Sequence, residues 1–247
     1  MLLLLPPSET KRDGGMDDAA LDLAALSFPE LAPQRKAALA ALRSLSRSVS
    51  DSLEALSLGP TQRFEIDRNR ALSRAPVMPA LERYTGVLYD GLQVETLSAA
   101  EREFAARHVV IHSALFGLLR AGDPIPAYRL SHDSRLPGLS LRRHWRESIT
   151  AALGREPGLV LDMRSESYAT LGPAPASATY VRVVSEDARG RRVALSHFNK
   201  KSKGEFTRAV IAAGIDHATV DELLAWAPGA GIRLDSAASG ELELIVG

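Results

Sequence analysis

Four leucines in a row, Leu2–Leu5, stop at Pro6-Pro7 and give way to the polar stretch Ser8-Glu9-Thr10-Lys11. That pattern recurs. Val109-Val110-Ile111-His112 and Leu159-Val160-Leu161-Asp162-Met163 are also short apolar runs whose polar residues sit at the C-terminal end. Runs of this length without alternation read as strands buried on both faces. A basic n-region is missing before Leu2 and prolines cut the run short, so it is read as a first strand and not as a signal peptide.

Between these runs lie helical patterns. Ala37, Ala38, Ala41, Leu42 and Leu45 recur at helical spacing between Pro33 and Ser48, and Pro33 suits a first turn. Further helices are expected over Ser50–Leu58, from Thr61, from Ser98 to Arg107, over Ala114–Leu119, around His144–Leu153, over Gly204–Ala213 and over Thr219–Ala225. Thr179–Val184 and Arg192–Phe198 read as a hairpin about a turn at residues 185–190. Short strands near Ile232–Leu234 and Leu242–Val246 end the chain. The alternation predicts an α/β fold (mixed α+β): one compact domain over residues 1–247, with a mixed central sheet surrounded by helices.

Composition removes several functions. There is no cysteine, which excludes disulfides, thiolate metal sites and cysteine nucleophiles. Six scattered histidines show no metal-ligand spacing, and no metal or cofactor is expected. No stretch approaches the length of a membrane span, so a soluble chain with no membrane partner is expected. Thirty basic residues balance thirty acidic ones, so any polyanion site must come from local clustering. Only five of the basic residues are lysines, and Lys11, Lys200, Lys201 and Lys203 fall in two short polar segments. A compact ammonium suits a phosphate or a proton transfer.

Ligands of α/β proteins gather at the carboxyl ends of the strands. Three polar stretches stand there: Ser8–Lys11, Arg164–Tyr168 and Asn199–Gly204. The last reads as a loop leading into a helix, where lysines and helix dipole together would hold an anion. Tyr128-Arg129, behind Pro124 and Pro126, reads as a ring and guanidinium presented for stacking and phosphate contact. The candidate binding residues are therefore Ser8, Lys11, Tyr128, Arg129, Ser165, Tyr168, Lys200, Lys201 and Lys203. Glu166 first, and Glu9 second, are the candidate acid/base residues should the cleft catalyse a reaction.

Taken in order, these segments resemble the peroxide stress protein YaaA family. The resemblance runs through Pro7-Ser8-Glu9-Thr10-Lys11, then Gly86–Leu92, then Ser113–Arg120 with Asp123 and Pro126–Leu130. It continues through Ser165-Glu166-Ser167-Tyr168, through Lys200-Lys201 with Gly204 and Arg208, and ends on Ser239–Leu242. It implies a cytosolic protein that limits oxidative damage, with a basic cleft for double-stranded DNA that adds Arg208 to the binding set. It also implies a helix-hairpin-helix element within residues 50–72, turning at Leu58-Gly59-Pro60, although Pro60 lacks one N–H that such a turn offers to phosphate. The partner is expected to be double-stranded DNA or a nucleotide, with no protein partner implied. An enzyme acting on a nucleotide or nucleobase is the alternative.

Overall fold

The computed structural model describes residues 1–195 and 199–247. Strand β1 (Leu2–Leu5) is followed by α1 (Ala32–Leu45), α2 (Val49–Ala55), α3 (Phe64–Ala71), β2 (Met78–Pro79), α4 (Ala80–Arg83), α5 (Val87–Leu92) and α6 (Ala99–His108). Then come β3 (Val109–Ser113), β4 (Gly117–Arg120), β5 (Pro124–Ile125), α7 (Leu141–Leu153), β6 (Val160–Asp162) and α8 (Glu166–Ala169). The chain ends with β7 (Thr179–Glu186), β8 (Arg192–Ala194), α9 (Asn199–Ala213), α10 (Val220–Trp226), β9 (Arg233–Ser236) and β10 (Leu242–Val246).

Eight strands form a mixed sheet in the order β4-β3-β1-β6-β7-β10-β9, with β8 added against β7, while β2 and β5 pair separately. The expected mixed α/β architecture is what the chain adopts. β1 lies at its centre, parallel to β3 through Leu3↔Val109 and to β6 through Leu3↔Leu161. Its leucines are at most 2% exposed, and burying each contributes about 1.5–3 kcal/mol. From β1 the chain goes first to one side, to β3, and later to the other, to β6. That reversal opens a crevice above the carboxyl ends of β1 and β6.

Ala114–Leu119 is not a helix. The segment turns and returns as β4, antiparallel to β3, with Ser113↔Gly117 closing the hairpin. Ser113 Oγ accepts the N–H groups of Leu115 and Phe116, at 3.1 and 2.9 Å. Gly117 has φ 70°, and a Cβ there would lie 2.7 Å from the Trp145 ring. Apolar residues alone do not tell a buried helix from a buried hairpin; the glycine decides.

Helix α9 begins at Asn199, five residues before the expected start at Gly204, so Lys200, Lys201 and Lys203 stand on its first turns and not on a loop. Gly204 has another purpose. A Cβ on it would lie 2.0 Å from the Leu88 carbonyl oxygen, and one on Gly91 would lie 2.6 Å from the Lys201 carbonyl oxygen. These two glycines let α5 and α9 touch backbone to backbone, which brings the head of α9 to the crevice. The predicted strand Arg192–Phe198 is observed as Arg192–Ala194; its last three residues lie outside the described ones.

The segment read as a helix-hairpin-helix does not show that element. Helix α2 ends at Ala55, and a 3-10 turn at Pro60–Gln62 precedes α3. The turn's amides are used internally: Leu58 N–H donates to Leu53 O at 2.8 Å and Gly59 N–H to Gln62 Oε1 at 3.0 Å. With Pro60 offering no N–H, little remains at this turn for a phosphate.

Candidate functional site: a cleft above β1 and β6

A cleft of about 540 Å³ opens at the crevice. One wall is Pro6–Thr10, after β1; facing it are Met163, Ser165, Ser167 and Tyr168, after β6. Thr85–Tyr89, at the head of α5, with Ser131 and His132 form the ends, and Asn199, Lys200 and Lys203 of α9 complete the rim. The loop after β1, the stretch after β6 and the head of α9 therefore come together at one place with the start of α5, while Tyr128-Arg129 is not among the residues that line it.

The loop after β1 is held from behind. The Lys11 ammonium donates to the carbonyl oxygens of Ser8 and Glu9, at 3.0 and 3.2 Å. It lies 4.0 Å from the centre of the Tyr128 ring. Burial pushes this amine down to about 7, against the opposing pull of Glu65. Tyr89 Oη donates to Pro6 O at 2.9 Å, and Ser8 Oγ to Thr10 O at 2.7 Å. Gly86, with φ 97°, brings the start of α5 against Thr10.

Tyr128, expected to present its ring, is instead 1% exposed. Its hydroxyl lies 2.7 Å from both Tyr84 Oη and Ser113 Oγ. Burial raises the phenols of Tyr84, Tyr89, Tyr128 and Tyr168 above the usual range, so all four stay protonated. Arg129 is also buried, and its guanidinium meets Glu9 at 2.7 Å. Asn69 clasps the Arg129 backbone at both ends: its Nδ2 donates to Arg129 O at 2.9 Å, and its Oδ1 accepts the Arg129 N–H at 2.8 Å. The sequence reading missed Asn69, since a lone asparagine within a helical pattern carries no signal of its own.

Below the β6 loop lies a sealed polar cluster. Arg164 grips Asp162 with Nε and Nη2, at 2.9 and 2.7 Å. Its Nη1 donates to Gly172 O and to His112 Nδ1, both at 2.8 Å. Burial first, and the adjacent guanidinium second, hold His112 well below the usual imidazole range, so it is neutral with its proton on Nε2. Above this cluster Tyr168 closes the cleft floor, edge-on to His112 and to His132. Its start is fixed by Ser165, whose Oγ accepts the Tyr168 N–H and caps α8.

Glu166 stands outside the cleft. Its side chain is 81% exposed and faces Arg182 at 4.0 Å, in a separate depression with Arg146, Tyr180 and Glu241. Lys201 lies on the outer face of α9, 3.5 Å from Glu205. Arg208 pairs with Glu101 at 3.2 Å and ties α9 to α6. The cleft lining carries two lysines and one glutamate, Glu9, which is a mild local charge and not a basic track. Among the described residues no group of three His, Asp or Glu is placed to hold a metal ion, and no helix is long and apolar enough to cross a membrane.

This cleft and its sheet belong to a stress-response family. Residues 1–235 match the family described as peroxide stress protein YaaA, and the chain is a member of it. A UPF0246 protein of Corynebacterium efficiens is 43% identical over 240 residues, covering 95% of each chain. Another from Streptomyces coelicolor is 41% identical across 87% of this chain and 84% of its own. One from Burkholderia mallei is 33% identical across 81% and 76%.

Proposed function

We propose that this protein acts in the cytoplasmic response to peroxide by holding one nucleotide-sized, phosphate-bearing molecule in the cleft above β1 and β6. The observation that carries this reading is the shape of the site. A cleft of about 540 Å³ falls within the usual range for small-molecule sites, roughly 300–1,000 Å³. Lys200, on the head of α9, supplies the charge for a phosphate, helped by the positive end of the helix dipole. His132 and Tyr168 supply ring surface beside it. Glu9, held by Arg129, is then the acid within reach of a bound ligand, and Glu166 is not.

Double-stranded DNA is the second reading, favoured by the exposed Lys200 at the rim and Lys201 on the outer face of α9. The two differ in salt response. A duplex contacted at Z phosphates loses affinity with a log–log slope of about −0.9Z, whereas one phosphate gives a shallow slope. They also differ in which lysine matters. Titration with nucleoside monophosphates and with a short duplex, at several salt concentrations, is the test. Lys200→Glu is expected to weaken nucleotide binding about tenfold or more, near 1.4 kcal/mol, while Lys201→Glu leaves it unchanged. Equal losses for both variants, with a steep salt slope on the duplex and no nucleotide binding, would establish the DNA reading instead.

A further inference from the structure

We propose that Lys203 is the covalent nucleophile of this cleft, forming an imine with the carbonyl carbon of a phosphorylated aldehyde or ring-opened sugar. The proposal deepens the nucleotide-sized reading of the same cleft by naming the class of compound it acts on.

The placement of Lys203 is unlike that of its neighbours. The residue lines the cleft, yet it is only 3% exposed. Its ammonium donates to Met163 O at 3.2 Å and stands 4.8 Å from the centre of the Tyr180 ring. Among the described residues no carboxylate comes within ion-pair distance of it, whereas Lys201 meets Glu205. A buried amine without a paired carboxylate is a poor structural device, because its charge is costly to keep. It is a good nucleophile for the same reason. Desolvation lowers it to about 8, against the raising pull of Asp162, Glu166 and Glu241 and with that of Arg182. At pH 7 it then holds roughly two-hundredfold more neutral amine than an ordinary lysine. Lys11 is lowered further, but it is tied to two carbonyls behind the β1 loop and does not line the cleft.

The step balances without a redox partner. The amine lone pair adds to the carbonyl carbon, and one N–H proton passes to the carbonyl oxygen, giving a carbinolamine. That hydroxyl then leaves with the remaining N–H proton as water, and C=N forms. Tyr168, kept protonated by burial, and Ser165 line the same cleft and offer hydroxyls to carry those protons. Lys200, one helical turn earlier, is left to hold the phosphate.

Such a carbonyl has two sources, a free sugar phosphate or an abasic sugar within DNA. The full chain is incubated at pH 7 with 2-deoxyribose 5-phosphate, or with a duplex carrying one abasic site, in the presence of sodium cyanoborohydride. Adducts are located by intact mass and peptide mapping. The expected result is a single adduct at Lys203, formed about tenfold or more faster than at exposed Lys200, and absent in Lys203→Arg. Reaction with the free sugar phosphate alone assigns the small-molecule source, and reaction with the duplex alone assigns DNA. Adducts spread over the exposed lysines, an adduct at Lys11, or none on either probe would overturn the proposal. Nucleotide titration of the wild type separates the two readings. Binding without an adduct sinks the imine and keeps the cleft, and an adduct at Lys203 without nucleotide binding does the reverse.

Discussion

At the centre of the sheet, Arg164 meets Asp162 with its guanidinium wholly buried. At the far edge, Arg192 touches Glu186, Asp235 and Glu243 at 3.3, 2.8 and 2.7 Å, joining β7–β10 with its side chain 30% exposed. The edge has more ion pairs and the centre has the one that matters. Solvent screens the edge network and competes for it. Removing one partner from the sealed pair leaves an uncompensated charge in a low dielectric. Asp162→Ala is therefore expected to cost about 3–5 kcal/mol, read as the free energy of urea unfolding. Arg192→Ala should leave the same measurement nearly unchanged. Equal losses would show that the edge network carries the fold.

The same contrast sharpens on titration. Its bond to Glu243 holds Arg192 above the usual guanidinium range, but burial holds Lys11 and Lys203 near the cleft at about 7 and about 8. Between those values and the ordinary lysine range, the unfolded chain binds protons that the folded chain has released. Stability therefore rises with pH from about 7 to about 10. The buried tyrosines act with the opposite sign. Their folded pKa values are raised, so above about pH 10 the unfolded chain loses phenol protons first and stability falls. Unfolding free energies measured from pH 6 to 11 should rise and then turn over. In Lys11→Met the rise should be smaller, and a profile unchanged by that substitution would remove Lys11 as its source.

Much of the central half was legible in the sequence. β1, β3 and β6 announce themselves because an apolar run ending in polar residues has few other uses. The cleft followed, since loops after such strands must share one end of the sheet. What escaped was decided by contacts between distant segments. Tyr128 reads as a free aromatic until Tyr84 and Ser113 are seen to enclose it. Along the chain Glu166 reads ahead of Glu9, and the cap at Ser165, which starts α8 with Glu166 turned outward, reverses that order. The head of α9 is polar, without apolar periodicity, and reads as loop because its helical state rests on packing against α5.

That packing gives the smallest effect and a pointed one. Gly204 and Gly190 are both glycines of Gly-dependent structure, one at the α5–α9 contact and one in the β7–β8 turn. A methyl at Gly204 meets the Leu88 carbonyl at 2.0 Å, which is backbone and cannot rotate away. One at Gly190 meets nothing, but φ there is 76°. Each alanine should destabilise the chain by about 1–2 kcal/mol, by overpacking at Gly204 and by backbone strain at Gly190. Stability alone would not tell them apart. Ligand binding should. To accept the methyl, α9 must back away from α5, carrying Lys200 and Lys203 from the cleft, so Gly204→Ala is expected to weaken nucleotide binding severalfold. Gly190→Ala leaves the cleft untouched and should bind as the wild type does. If Gly204→Ala binds normally at a temperature where it is fully folded, the helix contact does not set the position of the lysines, and the cleft is held by its loops alone.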